Sequence, residues 1–496
     1  MGRLLVLWVA MAAGWQMVWA QAQEITNVVL KGEAANAAGK EIGLYGYSDM
    51  LSQQAVRLDE TRVGEDGRFE LRCYANYPRL VYVEVENYSQ SFYVEPGRDY
   101  TMYLPEFDWS IDETHNVFLD PVVLPLRFLD LPSDELNLQI GDFEAVVDSF
   151  LLANRVFFDP KFKPQKRYFD TLMACLAMRG YRLKPYGAEG ETFADRYMHY
   201  QLASIALATG ARSRRQLVGK YVEGQPVRYY DEQYMRLFFD LYAGRIARGM
   251  KRVPMRRLQA WVHAGDIATY LDSIGLDPLL RNEQVRELAA LQALKESYYD
   301  RDYDSPSALR MIELLGQASK FEEHRVLAER LAQALTEREP GGETPRLVLP
   351  DKERHMVSLD SMKGKWVYLN FVRVGDPNCI AELETMAHFC DSLYERYPNV
   401  RFVSISCDRE FQKMYLFLTG SKRGRRYGWT WLHFDGDYRL LEHFGVVSYP
   451  TFVMINPEGR WHYTVTPPPA SGILLHGPWD VREEQGSGFK APFINR

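Results

Sequence analysis

Of the five cysteines in this sequence, Cys379 is the one placed for chemistry, because it follows an Asp-Pro pair that reads as a helix start. Thiol–disulfide exchange needs an accessible thiolate, which a helix N-terminus or a nearby cation favours. Asp376 reads as the N-cap, Pro377 as the first helical residue, and Asn378 and Cys379 complete the first turn. A carboxylate at the cap suits the helix dipole and is worth about 1 kcal/mol. The same carboxylate disfavours a thiolate on Cys379 and raises its pKa. A candidate catalytic thiol and the group that quiets it thus lie within one turn. Cys407 is the candidate redox partner, since it ends a neighbouring apolar strand on the edge where α/β folds place their sites. Cys390 lies further along the same helix as Cys379, about 16 Å away at 1.5 Å per residue, and cannot pair with it. Cys73 alternates with Phe69 and Leu71, and Cys175 shares a helical face with Tyr168 and Leu172, so both read as core residues.

The elements that must hold these residues follow from the pattern around them. The apolar run Trp366 to Phe371, bounded by Gly364 and Gly375-Asp376-Pro377, reads as a buried strand feeding a tight loop. A helix runs from Pro377 to about Tyr397. A second apolar strand, Arg401 to Ser406, ends at Cys407-Asp408. A helix from Glu410 to Leu418, a basic loop and the run Trp429 to Phe434 follow. Tyr449-Pro450-Thr451 then enters a strand that closes on Asn456-Pro457-Glu458-Gly459. Strand–helix alternation followed by a hairpin predicts an α/β domain.

With these residues in order, the last ~150 residues, a normal domain length, resemble the TlpA-like thioredoxin-fold proteins of Gram-negative cell envelopes. That family's N-F-W-x-x-W-C-x-x-C-x-x-E segment corresponds to Asn370-Phe371 through Asp376-Pro377-Asn378-Cys379-Ile380-Ala381-Glu382. Its V-x-x-x-P-T segment corresponds to Val446 through Pro450-Thr451. The resemblance implies a thioredoxin-like fold, a cis-proline at Pro450 with Tyr449 and Thr451 beside it, and thiol–disulfide chemistry. It also exposes a departure: the family's nucleophilic first cysteine is Asp376 here, and the tryptophan before it is Gly375. Cys379 occupies the resolving position with no nucleophile before it. The expectation is a degenerate site that binds or scaffolds envelope proteins or extended peptides, with thiol turnover through Cys379 and Cys407 or a partner's thiol as the alternative. The cis-proline loop of this fold exposes backbone that can pair with an extended peptide.

The rest of the chain predicts a multidomain protein: an N-terminal all-β sandwich, a helical middle domain and this C-terminal α/β thioredoxin-like domain. Arg3, an apolar run from Leu4 to Ala13 and small residues near Ala20 and Ala22 read as a signal peptide over residues 1–22. No cysteine follows that run for lipid attachment, and no later run is long enough to span a bilayer. A periplasmic or cell-envelope protein that is not a lipoprotein is therefore expected. Residues 23–105 carry short Val-, Tyr- and Phe-rich runs separated by turns and read as a small antiparallel sandwich. Residues 106–336 read as helix, with amphipathic stripes such as Phe143, Val146, Val147, Phe150 and Leu151. His324 shares a face with Leu327, Ala328, Leu331 and Leu335 and reads as packing. Residues 337–350 are a Pro/Gly-rich linker, 351–480 the α/β domain and 481–496 a tail.

A formal net charge of −7 argues against a dedicated nucleic-acid binder. The ten histidines show no metal-ligand spacing, so no metal is expected. The absence of a P-loop, a GxGxxG before a helix and a Gly-x-Ser-x-Gly elbow leaves no cofactor and no serine nucleophile to expect.

Overall fold

The computed structural model describes residues 27–479 apart from 87, 110–122, 155–165, 421–423, 435, 437, 464 and 476. The expected signal peptide at 1–22 and tail at 481–496 lie outside the described residues. Two compact units emerge, one reaching Phe107 and resuming over Val123–Ala334, the other from Leu335 onward.

In the first unit, β1 (Val28–Glu33), β2 (Glu41–Tyr47), β3 (Ala55–Arg62), β4 (Arg68–Cys73), β5 (Arg79–Val85), β6 (Tyr88–Val94), β7 (Tyr100–Tyr103) and β8 (Arg127–Leu129) build two four-stranded sheets. Their orders are β4-β1-β7-β8 and β3-β2-β5-β6. On β4 the predicted alternation holds: Phe69, Leu71 and Cys73 are buried between less buried neighbours. One pairing departs from the antiparallel expectation, since β1 and β7 run parallel from Leu30↔Tyr100 to Glu33↔Tyr103.

Helices follow: α1 (Leu136–Ala153), α2 (Lys166–Met178), α3 (Phe193–Ala208), α4 (Arg214–Tyr221), α5 (Glu232–Tyr242), α6 (Met255–Ala264), α7 (Ile267–Ile274), α8 (Glu283–Tyr299), α9 (Ser305–Ala318) and α10 (Glu322–Thr336). Asp304 caps α9 ahead of Ser305-Pro306, accepting the Ser307 N–H. Sheets and helices are tied by directed hydrogen bonds. The Tyr93 N–H donates to Asn137 Oδ1 at 2.7 Å, and the Lys295 ammonium donates to the Leu51 carbonyl at 2.7 Å.

One polar chain crosses the helical interior. His324, fully buried, faces Glu287 Oε2 through Nδ1 at 2.8 Å and the Tyr229 hydroxyl through Nε2 at 2.8 Å. Ser319 Oγ donates to the same Glu287 oxygen at 2.5 Å, and the Gln284 amide donates to the Tyr229 oxygen at 3.0 Å. These bonds close with a neutral imidazole: Nδ1–H donates to the carboxylate, and Nε2 accepts the tyrosine proton. His324 is therefore packed, as its helical face predicts, and also fully hydrogen-bonded.

The second unit begins with the Pro/Gly-rich stretch, which is pinned in place: the Gly341 N–H donates to the Trp461 carbonyl at 2.7 Å and the Trp461 N–H to Gly342 at 2.9 Å. A hairpin of β9 (Val348–Pro350) and β10 (Met356–Ser358) precedes β11 (Trp366–Val372), α11 (Pro377–Arg396), β12 (Val400–Ser406), α12 (Phe411–Gly420), β13 (Thr430–His433), α13 (Tyr438–His443) and β14 (Thr451–Ile455). The sheet order is β13-β12-β11-β14, with β11, β12 and β13 parallel and β14 antiparallel to β11. Alternation along β11 sends Val367, Leu369 and Phe371 to one core and Tyr368 and Val372 to the other. The α11 face, including Cys379, Leu383 and Met386, packs in the second core.

Candidate functional site

The register brings three segments to one end of this sheet. Val372 pairs with Ser406, the Cys407 N–H donates to the Val372 carbonyl at 2.8 Å, and Thr451 pairs with Phe371. The loop after β11, the end of β12 and the loop entering β14 therefore meet. Gly375 takes φ 96°, a backbone conformation that side chains rarely adopt, and this turns the chain into α11.

Asp376 is the N-cap of α11 with Pro377 in the first turn, and its Oδ1 accepts the Cys379 N–H at 2.9 Å. Pro377 and Asn378 are exposed, whereas Cys379 is 0% exposed. Burial pushes the Cys379 thiol from 9.0 up to about 12. The backbone of Arg373 opposes that rise with a hydrogen bond to the sulfur, while the Asp376 charge and its hydrogen bond with the thiol add to it. Ionising the sulfur would set two negative charges against one another in a place water does not reach.

Cys407 is buried as well, and burial raises its pKa too. Its Sγ donates to the Ile405 carbonyl at 3.8 Å, and the nearby Tyr449 hydroxyl partly offsets the rise. The two thiols feel each other electrostatically, yet both are free, and they belong to different cores, Cys379 to the α11 layer and Cys407 to the opposite one. Cys390, further along α11, is buried in the same layer as Cys379.

The Tyr449–Pro450 peptide is cis. Tyr449 packs against both cores, and the Arg373 guanidinium lies 5.1 Å from its ring centre. Val447 and Ser448 are exposed beside it.

Two residues not singled out from the sequence complete the arrangement. Asp408 is buried and accepts the Val374 N–H at 2.8 Å and the Ser406 hydroxyl at 2.7 Å, fixing the loop that leads to Asp376. Arg373, at the start of that loop, joins it to Tyr449. A buried Ser-x-Asp at the end of an apolar strand was the available signal for Asp408. His433 and His443, both of no evident use in the sequence, are a buried ring against Phe411 and an exposed partner of Glu337. Among the described residues, no group of three or more His, Cys, Asp or Glu is placed to hold a metal ion.

Residues 340–463 match the AhpC/TSA family. A curated relative, the thiol-disulfide oxidoreductase ResA of Bacillus subtilis, is 28% identical over 129 residues. The alignment covers 25% of this chain and 66% of that protein, so this chain spans just under two thirds of its relative. Similar solved structures include the thioredoxin domain of a thiol-disulfide oxidoreductase from Bacteroides vulgatus, at 20% identity, with 25% of this chain and 86% of that one covered and a TM-score of 0.22. A thiol:disulfide interchange protein from Bacteroides sp. is also similar, at 20% identity, 26% and 81% coverage and a TM-score of 0.23. The C-terminal domain is a thioredoxin-like domain related to the thiol–disulfide oxidoreductases, as its motifs imply.

Proposed function

We propose that the C-terminal domain, a thioredoxin-fold relative of thiol–disulfide oxidoreductases, works as a binding or scaffolding module of the cell envelope whose dithiol site is degenerate. The observation that carries this reading is the Asp376 carboxylate, which caps α11 and accepts the Cys379 N–H where a nucleophilic thiol would stand. The chemistry in the relative's name requires an accessible thiolate. Here the remaining thiol of the motif is buried and its pKa is raised.

The surface around the silent sulfur is intact. Pro377, Asn378, Val447 and Ser448 are exposed, and the cis Tyr449–Pro450 peptide lies beside them. Extended peptides of envelope proteins are the proposed partners, docking along the Tyr449-Pro450-Thr451 segment. Residues 1–22 would deliver the chain to the periplasm or cell envelope, and among the described residues no helix is long and apolar enough to cross a membrane.

The test is reduction of insulin and of glutathione disulfide by the purified protein, together with iodoacetamide labelling at pH 8. The binding reading expects no turnover and slow labelling of Cys379 in the folded state, completed only after unfolding. Turnover that disappears in Cys379→Ser would overturn it. That outcome would support the second reading, a thiol–disulfide oxidoreductase or thiol peroxidase using Cys379 with Cys407 or a partner's thiol. The observation favouring the second reading is the Tyr449 hydroxyl near Cys407 at the same end of the sheet as Cys379, a group that favours the thiolate.

A further inference from the structure

The first unit carries a group of exposed cations with no ion-pair partner among the described residues. Met250 and Val253 exchange backbone hydrogen bonds at 2.8 and 3.0 Å, forming a tight turn with Lys251 and Arg252 at its tip. Pro254 follows, and α6 starts at Met255 with no side-chain cap and no acidic residue in its first turn. Arg256 and Arg257 stand in that first turn, where the helix dipole favours anions and disfavours cations. All four basic residues are exposed. Nearby arginines are accounted for: Arg245 pairs with Asp277 at 2.5 Å, and Arg248 acts on Glu296. The side chains of Lys251, Arg252, Arg256 and Arg257 have no ion-pair partner among the described residues.

This group is unusual for the chain that carries it. With 66 acidic against 59 basic residues, carboxylates to neutralise a cation cluster are plentiful. The one carboxylate that acts on α6 by a recorded interaction, Asp304, does so at His263 in the last turn of the helix. The positive surface thus comprises the 250–253 turn and the first turn of α6, where like charges repel one another.

We propose that this surface docks the protein on a membrane, through the phosphate headgroups of anionic phospholipids. The side chains between the cations favour that occupant: Met250 and Met255 are half-buried and Pro254 is exposed, short apolar groups suited to the headgroup boundary. A nucleic acid would instead call for a longer basic track with stacking aromatics, and the net charge of −7 opposes it. Attachment would be peripheral and salt-sensitive.

The experiment is co-sedimentation of the full chain with vesicles of 30% phosphatidylglycerol in phosphatidylcholine and with pure phosphatidylcholine, each at low salt and at 0.5 M NaCl. Parent and variant carry the same apolar N-terminus, so the quantity compared is the binding that depends on phosphatidylglycerol and on salt. That part is expected to fall at least tenfold in Lys251→Glu/Arg252→Glu/Arg256→Glu/Arg257→Glu, with a thermal midpoint no lower than the parent's. It should persist in Arg252→Lys/Arg256→Lys/Arg257→Lys. Lack of any phosphatidylglycerol-dependent binding, or equal binding by the charge-reversed variant, overturns the proposal. A third arm measures a short duplex DNA at the same salt: binding as tight as to the anionic vesicles, lost in the same variant, overturns the membrane assignment. If the charge-reversed variant unfolds, the corresponding glutamine variant replaces it and is read against the same outcomes.

Discussion

The carboxylate-capped thiol of the C-terminal domain and the Glu287–His324–Tyr229 chain of the helical region are both built from residue types used in catalysis. They are enclosed in different ways. In the helical chain every donor meets an acceptor, the imidazole is wholly enclosed, and the groups hold α8, α10 and the 229 segment together. At the α11 start the sulfur is enclosed, while Pro377 and Asn378 just before it are exposed. Burial with closed hydrogen bonding removes both reactivity and recognition. On the proposed binding reading, burial of the reactive atom alone removes the first and leaves the second.

The largest expected effect comes from undoing the substitution. Asp376→Cys creates a Cys-Pro-Asn-Cys motif, and the variant should form an intramolecular disulfide and gain insulin-reducing activity over the background of the parent. A variant that folds but shows neither, by mass spectrometry and by turbidity assay, would mean that groups other than Asp376 also silence the site.

Next is Glu287→Ala, which leaves His324 and Ser319 without their acceptor inside the helices. A loss of about 3 kcal/mol is expected, read from urea unfolding monitored by circular dichroism, with Glu287→Gln losing less. A loss below ~0.5 kcal/mol, the range of surface substitutions, would mean the chain is not a strut.

His324 also predicts a pH dependence. Burial lowers its pKa in the folded state, against the opposing pull of Glu287. The unfolded chain binds that proton more readily, so the contribution to stability is present above the ordinary histidine value of about 6.5 and is lost as pH falls below it. The thermal midpoint should drop between pH 7 and pH 5, and the drop should be shallower in His324→Gln. Equal slopes in the two proteins would remove His324 as the cause.

The smallest effect is Asp376→Ala, which removes the cap at a cost of about 1 kcal/mol. Burial is the leading cause of the raised Cys379 pKa, so iodoacetamide labelling should quicken only slightly. A thiol that becomes fast-reacting would show that the carboxylate, and not burial, does the silencing.

The parts of the site that lie in one stretch were legible in the sequence. Asp-Pro before a helical pattern announces its cap, and the apolar run of β11 announces a buried strand. Contacts between stretches were not. Asp408 holds Val374 across 34 positions of the chain, and nothing local to either residue signals the partner. The cysteines show the same limit: both lie at one end of the sheet, as expected, but their assignment to opposite layers depends on the pleat and register of β11 and β12. In the first unit, β3 carries no strand signature, because half of Ala55–Arg62 is charged and the strand lies at a sheet edge, where no face is deeply buried to impose alternation. The parallel partnership of β1 with β7 joins distant segments and has no sequence signature of its own.

The Asp408 clamp on Val374 has a consequence for any partner of the α11 start. A loop already fixed by a buried carboxylate has little conformational freedom left to surrender when something docks on it. Partners would then differ in how long they remain bound far more than in how quickly they arrive, and loosening the clamp with Asp408→Asn would tax every one of them alike.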